Sequence, residues 1–419
     1  MQADGRTRVC IVGAARTPIG EKRGTLGALS AEDLGVLAAD EAIRRGGVAR
    51  ERIDAVVGAN VYQHTAPGGQ DIYFPRNVAL RCRLNVETPA LMVQRICGSG
   101  LQTIISAFQQ IALPAEVDDA SVVLCVAGET MSRIPRILRA ARLEKNFWEF
   151  AEGGAVDDAM LVSLNHDLAR TSMMLTADEY GRRMGVTRRQ CDEFADQSFS
   201  RACAAQRQSH MNGGDALGGM FALETSAPDG RPVHLARDEC VRRSSLEALE
   251  KLPGLTPNGL VSAGNASAIS DGAAAVVLAE RATAERHGWP TRFEVVAYGV
   301  GGVDPRVMGR GPVPAVNQAV ARAGLEQRRI GLWEINEAFA AQYLGVEEEL
   351  GLDREIVNVN GGAIAIGHPL AATGIRLIVD LMYEMRRRGV AWGCASACIG
   401  GGQGAAVVIR DSEQRDGAA

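Results

Sequence analysis

Gln94-Arg95-Ile96-Cys97-Gly98-Ser99-Gly100 leads straight into a long apolar run from Leu101 to Leu113, and the architecture can be worked out from this junction. Very small residues ahead of an apolar segment of helical length predict a helix that begins just after Cys97. The first N–H groups of a helix are unpaired and carry partial positive charge. A thiol held there loses its proton more readily and is set up as a nucleophile. Gly98 and Gly100 would then leave the sulfur open to a substrate. The same residues also read as a packed core thiol, because free cysteine behaves as a small hydrophobe. This segment alone does not separate the two readings.

On either side of the junction, strands alternate with helices. The first half reads as a strand over Val9–Val12, a helix over Ala31–Arg45, a strand over Ala55–Asn60, the Cys97 helix and a strand over Ser121–Ala127. The second half repeats the order: a strand over Phe293–Tyr298, a helix over Pro314–Ala323, a strand over Leu332–Asn336 and a helix over Leu370–Arg388. Strands near Ala391–Ala397 and Ala405–Ile409 close it. This alternation predicts an α/β fold with a largely parallel sheet and helices on its faces. Cys97 and His368 each open the helix in the corresponding slot, so two such halves would aim both helix N-termini into one crevice.

Three polar, glycine-flanked islands in the last third bear on the chemistry: Asn336-Glu337-Ala338-Phe339-Ala340, Gly367-His368-Pro369 and Cys398-Ile399-Gly400-Gly401-Gly402-Gln403-Gly404. A nucleophilic thiol needs a base, and His368 is the natural candidate. Acyl-transfer or Claisen chemistry needs donors for an oxyanion or enolate. The amides around Gly400 and the Asn336 side chain supply that chemistry. C–C bond making or breaking beside a carbonyl needs a second proton carrier, for which Cys398 fits. Taken singly, each island also reads blandly: a loop histidine, a glycine turn before a strand, a packed thiol. The set together points to chemistry.

Cys97-Gly98-Ser99-Gly100, the Asn336 island, Gly367-His368-Pro369 and Cys398-Ile399-Gly400-Gly401-Gly402 resemble the four signature motifs of the thiolases. Gly264-Asn265-Ala266-Ser267, Asp271-Gly272-Ala273-Ala274-Ala275 and Met308-Gly309-Arg310-Gly311-Pro312-Val313-Pro314 agree, and the likeness runs from Val9 to the last strand. The resemblance implies a five-layer αβαβα sandwich of two duplicated halves with an inserted loop domain. Residues 1–128 and 258–285 would form the first half, 129–257 the loop domain and 286–419 the second half.

It further implies coenzyme A-dependent cleavage of a 3-oxoacyl-CoA, or the reverse condensation, through an acyl group on Cys97. His368 would be the base and Cys398 the second proton carrier. One oxyanion hole would come from His368 and a water held by Asn336, the other from the amides of Cys97 and Gly400. No metal or prosthetic cofactor is implied, coenzyme A being a substrate. Ser267 and Phe339 match positions beside the pantetheine arm, Arg242 one near the nucleotide end, and Met173 and Met308 line the substrate site. Arg242 also reads as a solvated arginine, Ser267 as a helix-capping serine and Phe339 as core.

The sequence departs from the family pattern in places. Thr171-Ser172-Met173-Met174-Leu175-Thr176-Ala177 lacks the usual His-Met-Gly of the stretch expected to line the acyl pocket, which puts a simple acetoacetyl-CoA preference in doubt. Ser270 replaces the usual Asn, Ala268 the usual Gly, and Gln94-Arg95 the usual pair before the nucleophile.

The excursion carries Arg-rich segments, turns at Gly213-Gly214 and Pro228-Asp229-Gly230, and a helical stretch from Ala177 to Arg207 broken at Gly185. Composition fits without deciding. A chain of 419 residues with 46% hydrophobic content holds more than one core, and a net charge of -5 offers no footprint for nucleic acid. Apolar runs are too short to cross a bilayer. The first residues lack a secretory signal, and nine scattered cysteines read as reduced thiols in a cytoplasmic protein. The family resemblance implies a homo-oligomer, dimer or homotetramer, with Ser132–Phe147 as a candidate contact. Two other readings stand beside the thiolase one: a ketosynthase-like condensing enzyme and a catalytically silent acyl-CoA-binding scaffold.

Overall fold

The computed structural model describes residues 7–66, 69–138, 156–166, 168–208, 218–226 and 230–414. Strand β1 (Val9–Arg16), helix α1 (Ala31–Gly46), β2 (Ala55–Ala59), α2 (Phe74–Arg81), β3 (Ala90–Met92), α3 (Ser99–Ala112) and β4 (Val122–Thr130) make most of the first half. The excursion supplies α4 (Met173–Arg183) and α5 (Arg188–Arg207), separated at Gly185, whose φ of 72° ends the first of them. Strand β5 (Ser270–Glu280) returns to the first half. The second half comprises β6 (Phe293–Gly302), α6 (Pro312–Arg322), β7 (Leu332–Ile335), α7 (Ala340–Leu350), α8 (Leu370–Arg388), β8 (Trp392–Ile399) and β9 (Gln403–Asp411). The Gly213-Gly214 turn, most of the turn at Pro228 and the Ser132–Phe147 contact segment beyond Leu138 lie outside the described residues.

The strands follow the order β7-β8-β9-β6-β1-β5-β4-β2-β3. In each half the order and directions match: β2 parallel to β4, then β5 and β1 antiparallel; β7 parallel to β8, then β9 and β6 antiparallel. The halves meet where β1 pairs with β6 over Val9–Ile11. The duplication read from the sequence is therefore present in the topology. The sheet, however, is mixed rather than largely parallel. β8 and β9 are joined only by a turn, with Gly401 and Gly402 at φ 86° and 88°, and so short a link permits only antiparallel pairing. The excursion delivers β5 in the same reversed sense in the first half.

Period-two alternation distributes the strand residues between layers. On β5, Ala274, Val276 and Leu278 face a central core with α3 and α8, whereas Ala273, Ala275 and Val277 face the outer core under α1 and α2. On β9, Ala405, Val407 and Ile409 face the same central core, and Ala406 and Val408 the outer core on the other side. Strands buried on both faces read as unbroken apolar runs, which is why these do. Helices α3 and α8 each contact strands of both halves, and the result is five layers. Helices α4 and α5 pack on α7, with Phe194 stacked on Tyr343 at a centroid distance of 4.3 Å. Among the described residues, no helix is long and apolar enough to cross a membrane.

Candidate active site

The two central helices cross at glycine. A Cβ on Gly374 would fall 2.2 Å from the Leu101 nitrogen, and one on Gly100 would fall 2.6 Å from the Ala371 carbonyl oxygen. Backbone meets backbone here, so the N-termini of α3 and α8 converge. This corrects the reading of the small residues beside Cys97. Gly100 serves the helix crossing, and Gly98 packs under the Ile399 side chain, so neither is there to expose the sulfur.

Cys97 sits in the single 3-10 turn Ile96–Gly98 ahead of α3, directly after Ile96, which holds a φ of 47°. Its thiol is half-buried and faces a cavity of about 200 Å³. Burial pushes the thiol up to about 11; the Gly400 and Cys97 backbone N–H groups oppose that rise, and the nearby Glu129 adds to it. The helix-terminus field expected to favour the thiolate is therefore outweighed by desolvation.

His368 is buried and lines the same cavity. Its Nδ1 lies 2.6 Å from Thr373 Oγ1, and that hydroxyl donates to the Pro369 carbonyl at 3.1 Å. With its single hydrogen committed, Thr373 accepts from Nδ1–H, which leaves the lone pair on Nε2. Asn336 Nδ2 approaches that Nε2 at 3.4 Å. Burial first, and the positive charge of Arg376 second, lower His368 from 6.5 to about 3, so the ring is a neutral base. Asn336 is fully buried, and its Oδ1 has no partner among the described residues. Cys398, also fully buried, is next to last in β8, in a cluster with Met308 and Ala338 against which Met173 and Phe339 pack; burial, followed by the proximity of Cys97, raises its thiol. Gly400 stands in the following turn beneath the Met173 sulfur.

Of the expected substrate-binding residues, Ser267, Phe339, Met173 and Met308 line the cavity. Arg242 does not. It is exposed, with its guanidinium 5.0 Å from the Phe199 ring centroid, in a separate surface groove shared with Arg207, Arg237 and Arg243. Ser267 donates its N–H to the Ala338 carbonyl at 3.0 Å instead of capping a helix. Ala268 lines the cavity, whereas Ser270 is buried at the start of β5 with its hydroxyl on the Ala268 carbonyl.

Several residues were not singled out from the sequence. Thr373 was one, although it lies one helical turn into α8 from His368. Tyr62, Met131, Met160 and Leu370 form the wall beside Cys97. Glu129, at the end of β4, is fully buried and accepts from Asn60 Nδ2 at 3.0 Å and from the N–H groups of Val61, Tyr62 and Ala371 at 3.2, 3.0 and 3.1 Å. Burial raises it to about 7. It ties the Tyr62 loop to the start of α8.

The thiolase N-terminal domain model matches residues 9–282, and the thiolase C-terminal domain model matches residues 290–411. The chain is 39% identical over 405 residues to the mitochondrial 3-ketoacyl-CoA thiolase of Homo sapiens, covering 96% of this chain and 98% of that protein. It is 38% identical over 407 residues to an acetyl-CoA acetyltransferase of Cupriavidus necator, covering 96% and 99%. The crystal structure of human mitochondrial 3-ketoacyl-CoA thiolase in complex with CoA superposes with a TM-score of 0.89 at 39% identity, over 97% of this chain and 98% of that one. By sequence over both halves and by fold, the chain belongs to the thiolase family.

Proposed function

We propose that this protein is an acyltransferase that cleaves 3-oxoacyl-CoA with coenzyme A, or runs the reverse Claisen condensation, through an acyl-Cys97 intermediate. One observation carries the reading: a neutral imidazole with its lone pair on Nε2 and a protonated thiol close to two backbone N–H groups line one apolar cavity, and a second, fully buried thiol packs behind the Met308–Ala338 part of its wall.

In the cleavage direction His368 Nε2 takes the Cys97 proton, and the thiolate attacks the 3-oxo carbon. The developing alkoxide is met by the new Nε2–H and by a water at the unpartnered Asn336 Oδ1. As the C–C bond breaks, its electron pair forms the acetyl-CoA enolate, which takes the Cys398 proton. Incoming coenzyme A returns a proton to Cys398 and attacks the thioester. The thioester oxyanion faces the Cys97 and Gly400 amides, and Cys97 leaves as thiolate to recover its proton from His368. A buried thiol raised well above its usual range suits Cys398 as a proton donor.

Relatives named for 3-ketoacyl-CoA thiolase and acetyl-CoA acetyltransferase activity support this reading over a ketosynthase-like enzyme or a silent scaffold. The spans of the two family matches support the division into two halves with the 129–257 excursion inside the first. Arg242, with its neighbouring arginines, is assigned to the coenzyme A phosphates. Its replacement by alanine should raise KM for coenzyme A with kcat retained. The homo-oligomeric state and the cytoplasmic location belong to the proposal as well, and sedimentation of the purified chain tests the first.

Coenzyme A-dependent cleavage of a 3-oxoacyl-CoA series tests the activity. Wild type should release acetyl-CoA and Cys97→Ala should not. No cleavage of any chain length by wild type would sink the proposal.

A further inference from the structure

The cavity has an axis. At its mouth stand Met174 and the exposed Leu255, and Ser267 lies on the wall. Past the Cys97 thiol, the apolar lining divides into two compartments. One is lined by Met308, Ala338, Met173 and Phe339, which pack on the fully buried Cys398. The other, beside Cys97, is bounded by Tyr62, Met131, Met160 and Leu370, each no more than 9% exposed, with Leu164 packed against them.

The second compartment is closed by a fixed wall. The Tyr62 N–H is held on Glu129 at 3.0 Å, and its hydroxyl meets Ser163 Oγ at 2.5 Å. Ser163 ends the short helix Ala159–Ser163, which carries Met160 across the same space. The Tyr62 ring is thus pinned at both ends, and its outer pin also holds the helix that roofs the pocket. Methionine on the remaining wall adapts its shape to what it contacts, so the ring is the rigid element in an otherwise adaptable pocket.

We propose that Tyr62 is the specificity-determining residue for acyl-chain length: the chain carried on Cys97 runs into the Tyr62–Met160 compartment, and the ring, held by Ser163, sets how far it extends. The inference rests on the thiolase reading above. It assigns chain length to a different wall from Ser172–Met174, the stretch that the sequence pattern suggested. Met173 borders the Cys398 compartment, where the two-carbon unit sits, and so bounds the acetyl group instead.

The test is kcat/KM along a straight-chain 3-oxoacyl-CoA series from acetoacetyl-CoA upward, with the full-length protein. Tyr62→Ala should move the optimum to longer chains and raise the long-to-short ratio of kcat/KM by about tenfold or more. Tyr62→Leu, which keeps an apolar wall but shortens it, should shift the optimum the same way and serves if the alanine variant does not fold. Tyr62→Phe and Ser163→Ala keep the ring but release its outer pin; they should broaden the profile toward longer chains, by less than Tyr62→Leu does. Met173→Ala should alter rates without moving it. An unshifted profile in a folded Tyr62→Leu that still cleaves substrate overturns this inference alone, as does a shift in Met173→Ala instead. A wild type that cleaves nothing overturns the thiolase reading and this inference with it.

Discussion

His368 Nδ1 and Thr373 Oγ1 lie 2.6 Å apart, and because the Thr373 hydroxyl is already donated to Pro369, this contact fixes which imidazole nitrogen carries the proton. The ring precedes α8 and is oriented from the first turn of that helix. Thr373→Val removes the acceptor and leaves the packing volume nearly unchanged. A freed Nδ1–H in a buried site favours the other tautomer, which has no lone pair toward Cys97. The expected result is a fall in kcat of about 10²-fold with little change in KM, and Thr373→Ser should restore most of it. Equal activity in the valine variant would show that the tautomer is set elsewhere.

The pair at rest is neutral thiol and neutral imidazole, not thiolate and imidazolium. With Cys97 pushed up to about 11 and His368 down to about 3, no proton moves between them until a substrate is bound. Alkylation of Cys97 by iodoacetamide should therefore rise about tenfold per pH unit from neutrality upward, with no plateau near pH 7. An early plateau would reveal a standing ion pair. The same burial has a consequence for stability. His368 takes a proton in the unfolded chain below 6.5 but resists it in the folded one down to about 3, so the unfolded state binds more protons in that window. Stability should fall as pH drops from 6.5 toward 3, and His368→Gln should flatten that part of the profile in a thermal-melt series.

The fold was largely legible because its strands are buried on both faces and announce themselves as apolar runs, and because β1–α1–β2 and β6–α6–β7 repeat one order. The strand directions were not, since helical alternation says nothing about a strand that returns from a long excursion, as β5 does, or through a glycine turn, as β9 does. Cys97 and His368, which line one cavity, and Cys398, packed behind its wall, were singled out from residue type beside glycine. The wall of the cavity was not. Tyr62, Met131 and Met160 come from three separate segments and meet by packing on one another, with Glu129 and Ser163 holding Tyr62, and no local spacing encodes that meeting. Arg242 was placed by pattern alone, and its side chain lies in a different groove from Cys97.

The Gly100–Gly374 crossing makes a prediction in which stability and activity are linked. An alanine at a helix-interior glycine ordinarily stabilises by about 1 kcal/mol. At Gly374 the added methyl meets the Leu101 nitrogen at 2.2 Å, and no rotamer change relieves a clash with backbone. Gly374→Ala should lower the unfolding midpoint by the equivalent of about 1–3 kcal/mol. It should also separate the N-termini of α3 and α8, and so cost more in kcat than the stability loss explains. A more stable and fully active Gly374→Ala would mean that the crossing tolerates side chains.

Cys398 divides the reaction into halves that can be measured apart. In the proposed sequence it protonates the enolate released by C–C cleavage and recovers a proton from coenzyme A, while acyl transfer to and from Cys97 draws on His368 and the Cys97 and Gly400 amides. Cys398→Ala should therefore abolish cleavage and condensation, yet still form the acyl-enzyme from a saturated acyl-CoA and exchange that acyl group with free coenzyme A. Cys97→Ala should lose every one of these steps. Cys398 is fully buried among Met308, Ala338 and Met173, so alanine leaves a small apolar void and no unpaired charge, and the variant should fold. Mass spectrometry of the trapped acyl-enzyme reads the first half-reaction and labelled coenzyme A exchange the second. Loss of exchange in Cys398→Ala would mean that the second thiol also serves acyl transfer. Persistence of C–C cleavage would mean that another group protonates the enolate, and His368, which also lines the cavity, would be the one to test.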